Sequence, residues 1–309
     1  RWMARAGVGA EGDGGVQIVF GVEGERDLTE HSLTHLRGYR GSAPVRVGND
    51  AWLQTQLDVY GEVLASAHLL RDQLGDLDPA TTRFLVTLAD LAADRWREPD
   101  SGIWEGRDGE RDYLSSKLMC WVALDRAIDM RELLGPGEER LGRWAAERDA
   151  VRDTILADGW SERAGAYSGA FGSDHLDASV LLMPLVGFVE ADDERMSATI
   201  DAVERELTTD GLVRRWTGAE DGAFLICSFW LADCLARAGR TERATAVYEA
   251  ACACANDLGL MSEEVDPSDG TSLGNFPQAL SHVGLITAAW SIDRALAHDR
   301  VHATTAKGS

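Results

Sequence analysis

The sequence predicts an all-α fold in which paired helices are arranged as a ring, and two observations predict it. Helical patterns occupy most of the 309 residues and alternate between two kinds, one apolar on nearly all sides and one apolar along a single stripe. The first kind begins near residues 50, 114, 176, 222 and 276, a spacing of 46 to 64 residues. Such a period of alternating inner and outer helices is typical of a helical toroid.

The inner helices are predicted from their lack of a polar face, because a helix that is apolar all round must be buried. Beyond the helix near residue 50, they are the stretches 114–128, 176–188, 222–236 and 276–290. An outer helix carries one stripe instead. In 194–207, Met196, Ile200, Val203 and Leu207 recur at spacings of four, three and four, with charged residues between them. The outer helices are therefore expected to be half-exposed.

The chain contains no composition shift and no Pro/Ser-rich linker. Residues 1–300 are therefore expected to form a single domain, and the small, polar segment 301–309 a flexible tail.

Composition excludes several classes of partner. A formal net charge of -22 repels nucleic acid and anionic membrane surfaces, so a neutral small molecule fits better. No apolar run reaches the roughly 20 residues that span a bilayer. The five cysteines lie inside apolar helical patterns without metal-ligand spacing, and their odd number suits a reducing compartment. We expect a cytoplasmic protein without metal or cofactor.

The loops that precede the inner helices are where a site is expected. If the inner helices run parallel, these loops all emerge at one mouth of the ring. They are the least regular and most polar-aromatic stretches of the sequence: 39–49, 101–113, 167–177, 214–222 and 261–275.

Two of these loops carry carboxylates suited to proton transfer. Glu105 follows Trp104, and Glu263 and Glu264 are adjacent. Two carboxyls at a pocket mouth with tryptophans nearby suggest glycoside hydrolysis, and ten tryptophans suit the stacking of sugars. The chain has 52 acidic residues, so loop glutamates also meet by chance.

Successive blocks of the sequence resemble the prokaryotic family 15 glycoside hydrolases, the glucoamylase-type enzymes. The blocks include "SGIWEGR", "SSKLMCWVALDRAI", "LDASVLLMPLVGF", "GAFLICSFWL", "NDLGLMSEEVDP" and "LGNFPQALSHVGLITAA", in the family's order. The resemblance implies an (α/α)6 toroid, a six-hairpin barrel of which about five inner helices are visible here. It also implies an inverting enzyme that removes single glucose units from α-glucosides.

The resemblance implies roles for particular residues. Glu105 maps onto the general acid and Glu263 onto the general base, and inversion places such a pair roughly 6.5–9.5 Å apart. Arg215 matches an arginine that holds sugar hydroxyls. Further substrate contacts are expected from Trp104 and Trp216 as pocket walls, from the hydrogen-bonding residues Asn49, Gln56 and Asp58, and from Glu264, which either supports Glu263 or replaces it.

The family's first block, with Asn-Trp-Asp-Tyr-Arg and a glucose-binding Arg-Asp pair, is absent. The chain is therefore expected to lack the first inner helix, to be at best weakly active, and to expose apolar helix faces through which it self-associates.

Three functions remain open. The first is hydrolysis of maltooligosaccharides or trehalose. The second is a non-catalytic or weakly active sugar-binding toroid. The third is a lyase or epimerase with a base among Tyr39, Tyr113, Tyr167 and His175, although His175 and His282 are interpreted as packing residues.

Overall fold

The computed structural model describes residues 16–107 and 109–306, which are largely helical. The chain divides into two compact units, Arg1–Ile155 and Leu156–Ser309, and each is described by itself. Of the predicted tail, residues 307–309 lie outside the described range, and residues up to Ala306 continue the last helix.

The first unit contains two short strands and a set of helices. They are β1 (His31–Ser32), β2 (Arg46–Val47), α1 (Asp58–Leu69), α2 (Arg71–Leu74), α3 (Pro79–Arg95), α4 (Leu114–Asp129), α5 (Arg131–Leu134) and most of α6 (Glu138–Asp158), which ends three residues beyond the unit. β1 and β2 pair antiparallel. Asp78 begins α3, because its carboxylate accepts hydrogen bonds from the backbone of Ala80 and Thr81, and Pro79 occupies the first turn.

The second unit alternates short β-pairs with helices. In order they are β3 (Trp160–Ser161), β4 (Ala166–Tyr167), α7 (Leu182–Leu185), α8 (Glu194–Glu206), β5 (Thr208–Thr209), β6 (Leu212–Val213), β7 (Ala223–Phe224), α9 (Leu225–Arg237), α10 (Thr241–Cys252), β8 (Glu264–Val265), β9 (Ser272–Leu273) and α11 (Ala279–Ala306). β7, β8 and β9 form an antiparallel sheet with β8 in the centre.

Two helices have the burial that the sequence predicts. Every residue of α4 from Leu114 to Leu124 is buried, which confirms the burial predicted for this helix. In α8, Met196, Ile200 and Val203 are fully buried, which confirms the single stripe of an outer helix.

The inner helix predicted near residue 50 begins later. Residues Asp50–Leu53 form one 3-10 turn, and α1 starts only at Asp58. The intervening segment is held extended, because the Thr55 carbonyl accepts a hydrogen bond from Ser101 and the Leu57 amide donates to Asp100 at 2.8 Å.

The stretch 176–188 is buried as predicted, but it is not one helix. A 3-10 segment, Ala178–Leu181, runs into the four-residue α7. Pro184 explains the break. In a regular helix its ring would clash with the carbonyl four residues earlier, and its nitrogen has no proton to donate to that carbonyl. Gly187 then ends the segment with a φ of 78°.

The prediction that 276–290 is a helix buried on all sides is wrong: the helix, α11, begins at Ala279, and up to Trp290 it is buried on one face only. Ser281, Gly284 and Ala288 are buried, whereas Leu280, Val283, Ile286 and Trp290 are 55–68% exposed. We call these four exposed side chains the α11 stripe. Among the described helices, none is long and apolar enough to cross a membrane.

Asp58, the first residue of α1, gives a pH-dependent prediction. Burial and the nearby carboxylates Glu62 and Asp100 raise the pKa of Asp58 from its ordinary 3.8 to about 7. The folded state therefore keeps a proton that the unfolded state releases, and the free energy of unfolding falls as pH rises from about 4 to about 7. Asp58→Asn is expected to gain stability over the parent between pH 5 and pH 8 in urea titrations. The same gain in the exposed control Asp72→Asn would contradict this. So would a stability difference between Asp58→Asn and the parent that does not change with pH.

Candidate active site

In the first unit, Glu105 lies at a small polar cavity. The cavity has a volume of about 190 Å³ and is lined by Asn49, Asp50, Ala51, Gln54, Glu105 and Arg107. The Glu105 side chain is exposed, and its Oε2 accepts a hydrogen bond of 3.3 Å from Nδ2 of Asn49. Asn49 in turn accepts from the Ala51 amide at 2.9 Å, so its side chain is fixed at both ends. A sugar-sized group can reach this carboxyl from solvent.

The backbone at Glu105 is in an unusual conformation. Its φ is 54°, in the left-handed region that side chains other than glycine seldom occupy. The amide of Glu105 donates to the Gly102 carbonyl at 3.3 Å, which closes the turn on one side. On the other side, Nε2 of Gln54 donates to the Gly106 carbonyl at 3.0 Å. These two contacts fix the turn from which the Glu105 side chain projects.

Gln56 and Asp58 are not among the residues that line this cavity. Gln56 is 7% exposed and donates to Oε1 of Gln54 at 3.1 Å, so it supports a cavity residue. Asp58 is 6% exposed, and its Oδ1 has no hydrogen-bond partner among the described residues. Both therefore present little surface to a sugar. Trp104 is half-buried directly before Glu105.

A rim of ion pairs borders the same cavity. Arg107 pairs with Glu30 at 2.6 Å, and Arg46 approaches the other oxygen of Glu30 at 3.5 Å. The hydrogen bond from Arg107 is the main reason that the pKa of Glu30 is lowered.

In the second unit, Glu263 is the residue before β8, and its carboxylate is held from several sides. Oε2 accepts 3.0 Å hydrogen bonds from both the amide and the side chain of Asn275, and Oε1 accepts one of 3.3 Å from Gln278. Gly274, with a φ of 66°, passes so close that a Cβ there would lie 2.7 Å from Oε2. The Glu263 carboxylate is therefore fixed in orientation while staying half-buried.

Arg215 lies in the loop before β7. Its guanidinium pairs with Asp221, and its central carbon lies 4.3 Å from the ring centroids of both Trp216 and Phe224. Planar stacking of this kind suits arginine and is lost with lysine. The loop itself is anchored, because the Ala178 amide donates to the Arg215 carbonyl at 2.7 Å and Thr217 donates to Leu176 at 3.0 Å.

Glu264 lies beside Glu263 and differs from it in setting. Its Oε2 accepts a hydrogen bond of 3.1 Å from the Gly222 amide. Burial, followed by the charge of Asp221, raises the pKa of Glu264 from 4.5 to about 7, although Arg215 opposes the shift. The two adjacent glutamates thus have different partners.

The alternative bases differ in their exposure. Tyr167 is fully buried and meets Trp160 edge-on at 5.5 Å, whereas Tyr39 is 64% exposed. His175 is exposed rather than packed, and Nδ1 of His282 contacts the Gln278 carbonyl at 2.8 Å. Among residues 16–107 and 109–306, no group of three or more His, Cys, Asp or Glu side chains is arranged to hold a metal ion.

Sequence reasoning missed several residues of these two clusters. Gln54, Asp221, Asn275 and Gln278 all lie in or beside the mouth loops and are hydrogen-bonding types, the same criterion that selected Asn49. That criterion does not show which carboxylate or arginine such a residue contacts.

The chain is similar to solved glycosidase structures. One, solved as the wild type, has a TM-score of 0.68 at 23% identity over 82% of this chain and 72% of that chain, and a variant of it was solved in complex with glucose. A bacterial glucoamylase complexed with acarbose has a TM-score of 0.67 at 17% identity over 82% of this chain and 44% of that one. The fold is therefore that of the all-α, (α/α)6 toroid glycosidases, as the sequence predicts.

The model of glycosyl hydrolases family 15 matches residues 7–290, and the chain belongs to that family. The predicted resemblance is thereby confirmed. A trehalase from Mycolicibacterium smegmatis is 41% identical over 288 residues, which are 91% of this chain and 43% of that protein. The chain thus spans less than half the length of this relative.

Proposed function

We propose that this chain carries the acid and the base of an inverting α-glucoside hydrolase, with trehalose as the first substrate to test and α-glucans as the second. The observation that carries the proposal is the Glu263 carboxylate. It lies in the loop before β8, is oriented by Asn275 and Gln278, and is half-buried. Family membership and the name of the Mycolicibacterium relative, a trehalase, support the substrate.

Glu263 is proposed as the general base. Inversion requires a carboxylate that holds a water molecule and removes its proton as the water attacks the anomeric carbon. The contacts from Asn275 and Gln278 restrict the rotation of the Glu263 carboxylate, so that little reorganisation is needed when the water is bound.

Glu105 is proposed as the general acid, which protonates the departing glycosidic oxygen. Support comes from its exposed carboxyl in a polar cavity and from its hydrogen bond with Asn49, a donor also suited to a sugar hydroxyl. Trp104 and Trp216 remain proposed pocket walls. We propose that Gln56 acts indirectly, through Gln54, and that Asp58 acts through the helix start that it occupies.

A side-by-side assay tests the substrate. Trehalose, maltose and isomaltose are supplied separately to the purified chain, and released glucose is measured. Trehalose is expected to give the fastest release. Binding of these sugars by calorimetry without any product would favour the non-catalytic sugar-binding alternative.

The stereochemistry is tested by NMR of the first products. Inversion of trehalose releases one α-glucose and one β-glucose, whereas retention releases two α-glucose molecules. Detection of α-glucose alone before mutarotation would exclude the inverting mechanism.

Arg215→Lys is expected to raise KM by roughly tenfold with a smaller change in kcat, since a point charge replaces a planar group that stacks on Trp216 and Phe224. Steady-state kinetics on trehalose measure both constants. The matched control is Arg214→Lys, whose guanidinium donates a hydrogen bond of 3.3 Å to the Thr209 hydroxyl. Equal effects of the two substitutions would argue against a sugar-binding role for Arg215.

The α11 stripe is proposed to bind a second copy of this chain. The segment 279–292 contains no Asp, Glu, Lys or Arg, so on a chain of net charge -22 the stripe itself brings no carboxylate against a second copy. Sedimentation velocity is expected to show concentration-dependent association that Ile286→Lys with Trp290→Lys reduces. The control pair Leu69→Lys and Leu258→Lys, also exposed, is expected to leave association unchanged. Monomer at all concentrations would contradict the proposal.

A further inference from the structure

Glu264 is joined to the loop that carries Arg215 by the strand pairing of β7 and β8. In this pairing Glu264 lies opposite Phe224, and Ala223 lies opposite Val265. The backbone of Gly222 also lies close to β8, because a Cβ at that position would lie 2.8 Å from the Val265 carbonyl oxygen. The close passage brings the Gly222 amide to 3.1 Å from Oε2 of Glu264.

The residue before Gly222 completes the connection. Asp221 pairs with Arg215, whose guanidinium also lies over the Trp216 and Phe224 rings. The hydrogen bond to Glu264 therefore fixes the turn from which the Asp221 carboxylate reaches Arg215. The Glu264 carboxyl thus contacts Gly222, the residue that directly follows Asp221, the ion-pair partner of Arg215.

We propose that Glu264 is a positioning residue for Arg215, which it serves in its neutral form by anchoring the Asp221–Gly222 turn. A neutral carboxyl still accepts the Gly222 hydrogen bond and places no second negative charge beside the Arg215–Asp221 pair. An ionised Glu264 competes with Asp221 for Arg215 and draws the guanidinium away from its stacked position. The inference rests on the proposed function, in which Arg215 binds sugar.

The charges around Glu264 support this assignment. Arg215 and Asp221 face it from the loop before β7, and Glu263 is the residue immediately before β8. On the other side, β9 contributes Ser272 and Leu273, which do not titrate. Burial and the two carboxylates raise the pKa of Glu264 to about 7, against the opposing charge of Arg215. Glu264 is therefore mainly neutral below pH 7 and mainly ionised above it.

Two substitutions separate anchoring from charge. Glu264→Gln keeps a carbonyl oxygen for the Gly222 amide and cannot ionise, so at pH 6 its KM for trehalose is expected to equal that of the parent. Between pH 6 and pH 8 the ratio of its kcat/KM to that of the parent is expected to rise. Glu264→Ala removes the acceptor and is expected to raise KM about tenfold at pH 6, with a smaller change in kcat. Glu220→Gln, an exposed glutamate in the same loop, is the control.

A second measurement does not need turnover. The indole N–H resonance of Trp216, assigned by its loss in Trp216→Phe, is followed by NMR from pH 5 to pH 9. In the parent it is expected to shift with a midpoint near neutral pH, and this shift is expected to vanish in Glu264→Gln and persist in Glu220→Gln.

The outcomes distinguish the coupling of Glu264 to Arg215 from the proposed hydrolytic function. A Trp216 resonance that does not follow pH, or that follows it equally in Glu264→Gln, overturns the inference whether or not the chain hydrolyses sugar. Likewise, an unchanged KM in Glu264→Ala overturns it. A Trp216 shift that depends on Glu264, in a chain that releases no glucose, supports the coupling of Glu264 to Arg215 and contradicts only the proposed function.

Discussion

Glu263→Gln is expected to lower kcat on trehalose by roughly 10²–10⁴-fold, the usual contribution of a general base. Glutamine has nearly the shape of glutamate, and its amide still has an oxygen to accept hydrogen bonds from Asn275. The loss of turnover would therefore report the missing proton acceptor rather than a rearranged loop. Stopped assays of glucose release give kcat, and Glu220→Gln again serves as the control.

The assignment of Glu263 as base has a chemical control. Glu263→Ala leaves space for azide, an anion that attacks the anomeric carbon without losing a proton. Added azide is expected to restore consumption of trehalose and to yield the inverted β-glucosyl azide. Kinetics of Glu263→Gln indistinguishable from the parent would show that another residue is the base, whatever azide does.

Phe229→Ala is expected to lower the free energy of unfolding by about 3–5 kcal/mol, the usual cost of removing a buried aromatic side chain. Phe229 is fully buried in α9, and its ring centroid lies 5.8 Å from that of Tyr248 in α10. Helix α11 also passes close, because a Cβ on Gly284 would lie 3.0 Å from the Phe229 Cβ. One side chain thus fills the space where α9, α10 and α11 meet.

Urea titration of the whole chain measures this loss. Phe276→Ala is the matched control, since the same atoms are removed from a residue that is 51% exposed, and a change within about 0.5 kcal/mol is expected there. Similar losses at the two positions would mean that the contacts of Phe229 do not control the stability of these helices.

The sequence predicts the helices of this fold better than their ends. Burial of α4 and of the α8 stripe follows from composition and periodicity alone, since both reflect which faces avoid water. The late start of α1 depends on a hydrogen bond between Leu57 and Asp100, residues 43 positions apart. A contact at that separation leaves no periodic signal. Pro184 was a visible local signal for the break in the 176–188 stretch.

The candidate site residues could be chosen from the sequence, but their contacts could not. The alternation of helices and the family resemblance predict Glu105, Glu263 and Arg215 in loops, and each of them lies in a loop. The stacking of Arg215 on Phe224 follows from neither, because it depends on the turn at Gly222 and on strand pairing with Glu264. Asp58 looked like a hydroxyl-binding residue, yet it is buried, because α1 begins with that residue.

The left-handed backbone at Glu105 has a consequence for how this position evolves. A non-glycine residue with a φ of 54° carries a conformational cost of about 1 kcal/mol or more, which glycine would avoid. Drift toward stability alone would therefore favour glycine there. Under the proposed role of Glu105 as general acid, this cost in folding stability is a local trade-off between stability and chemistry.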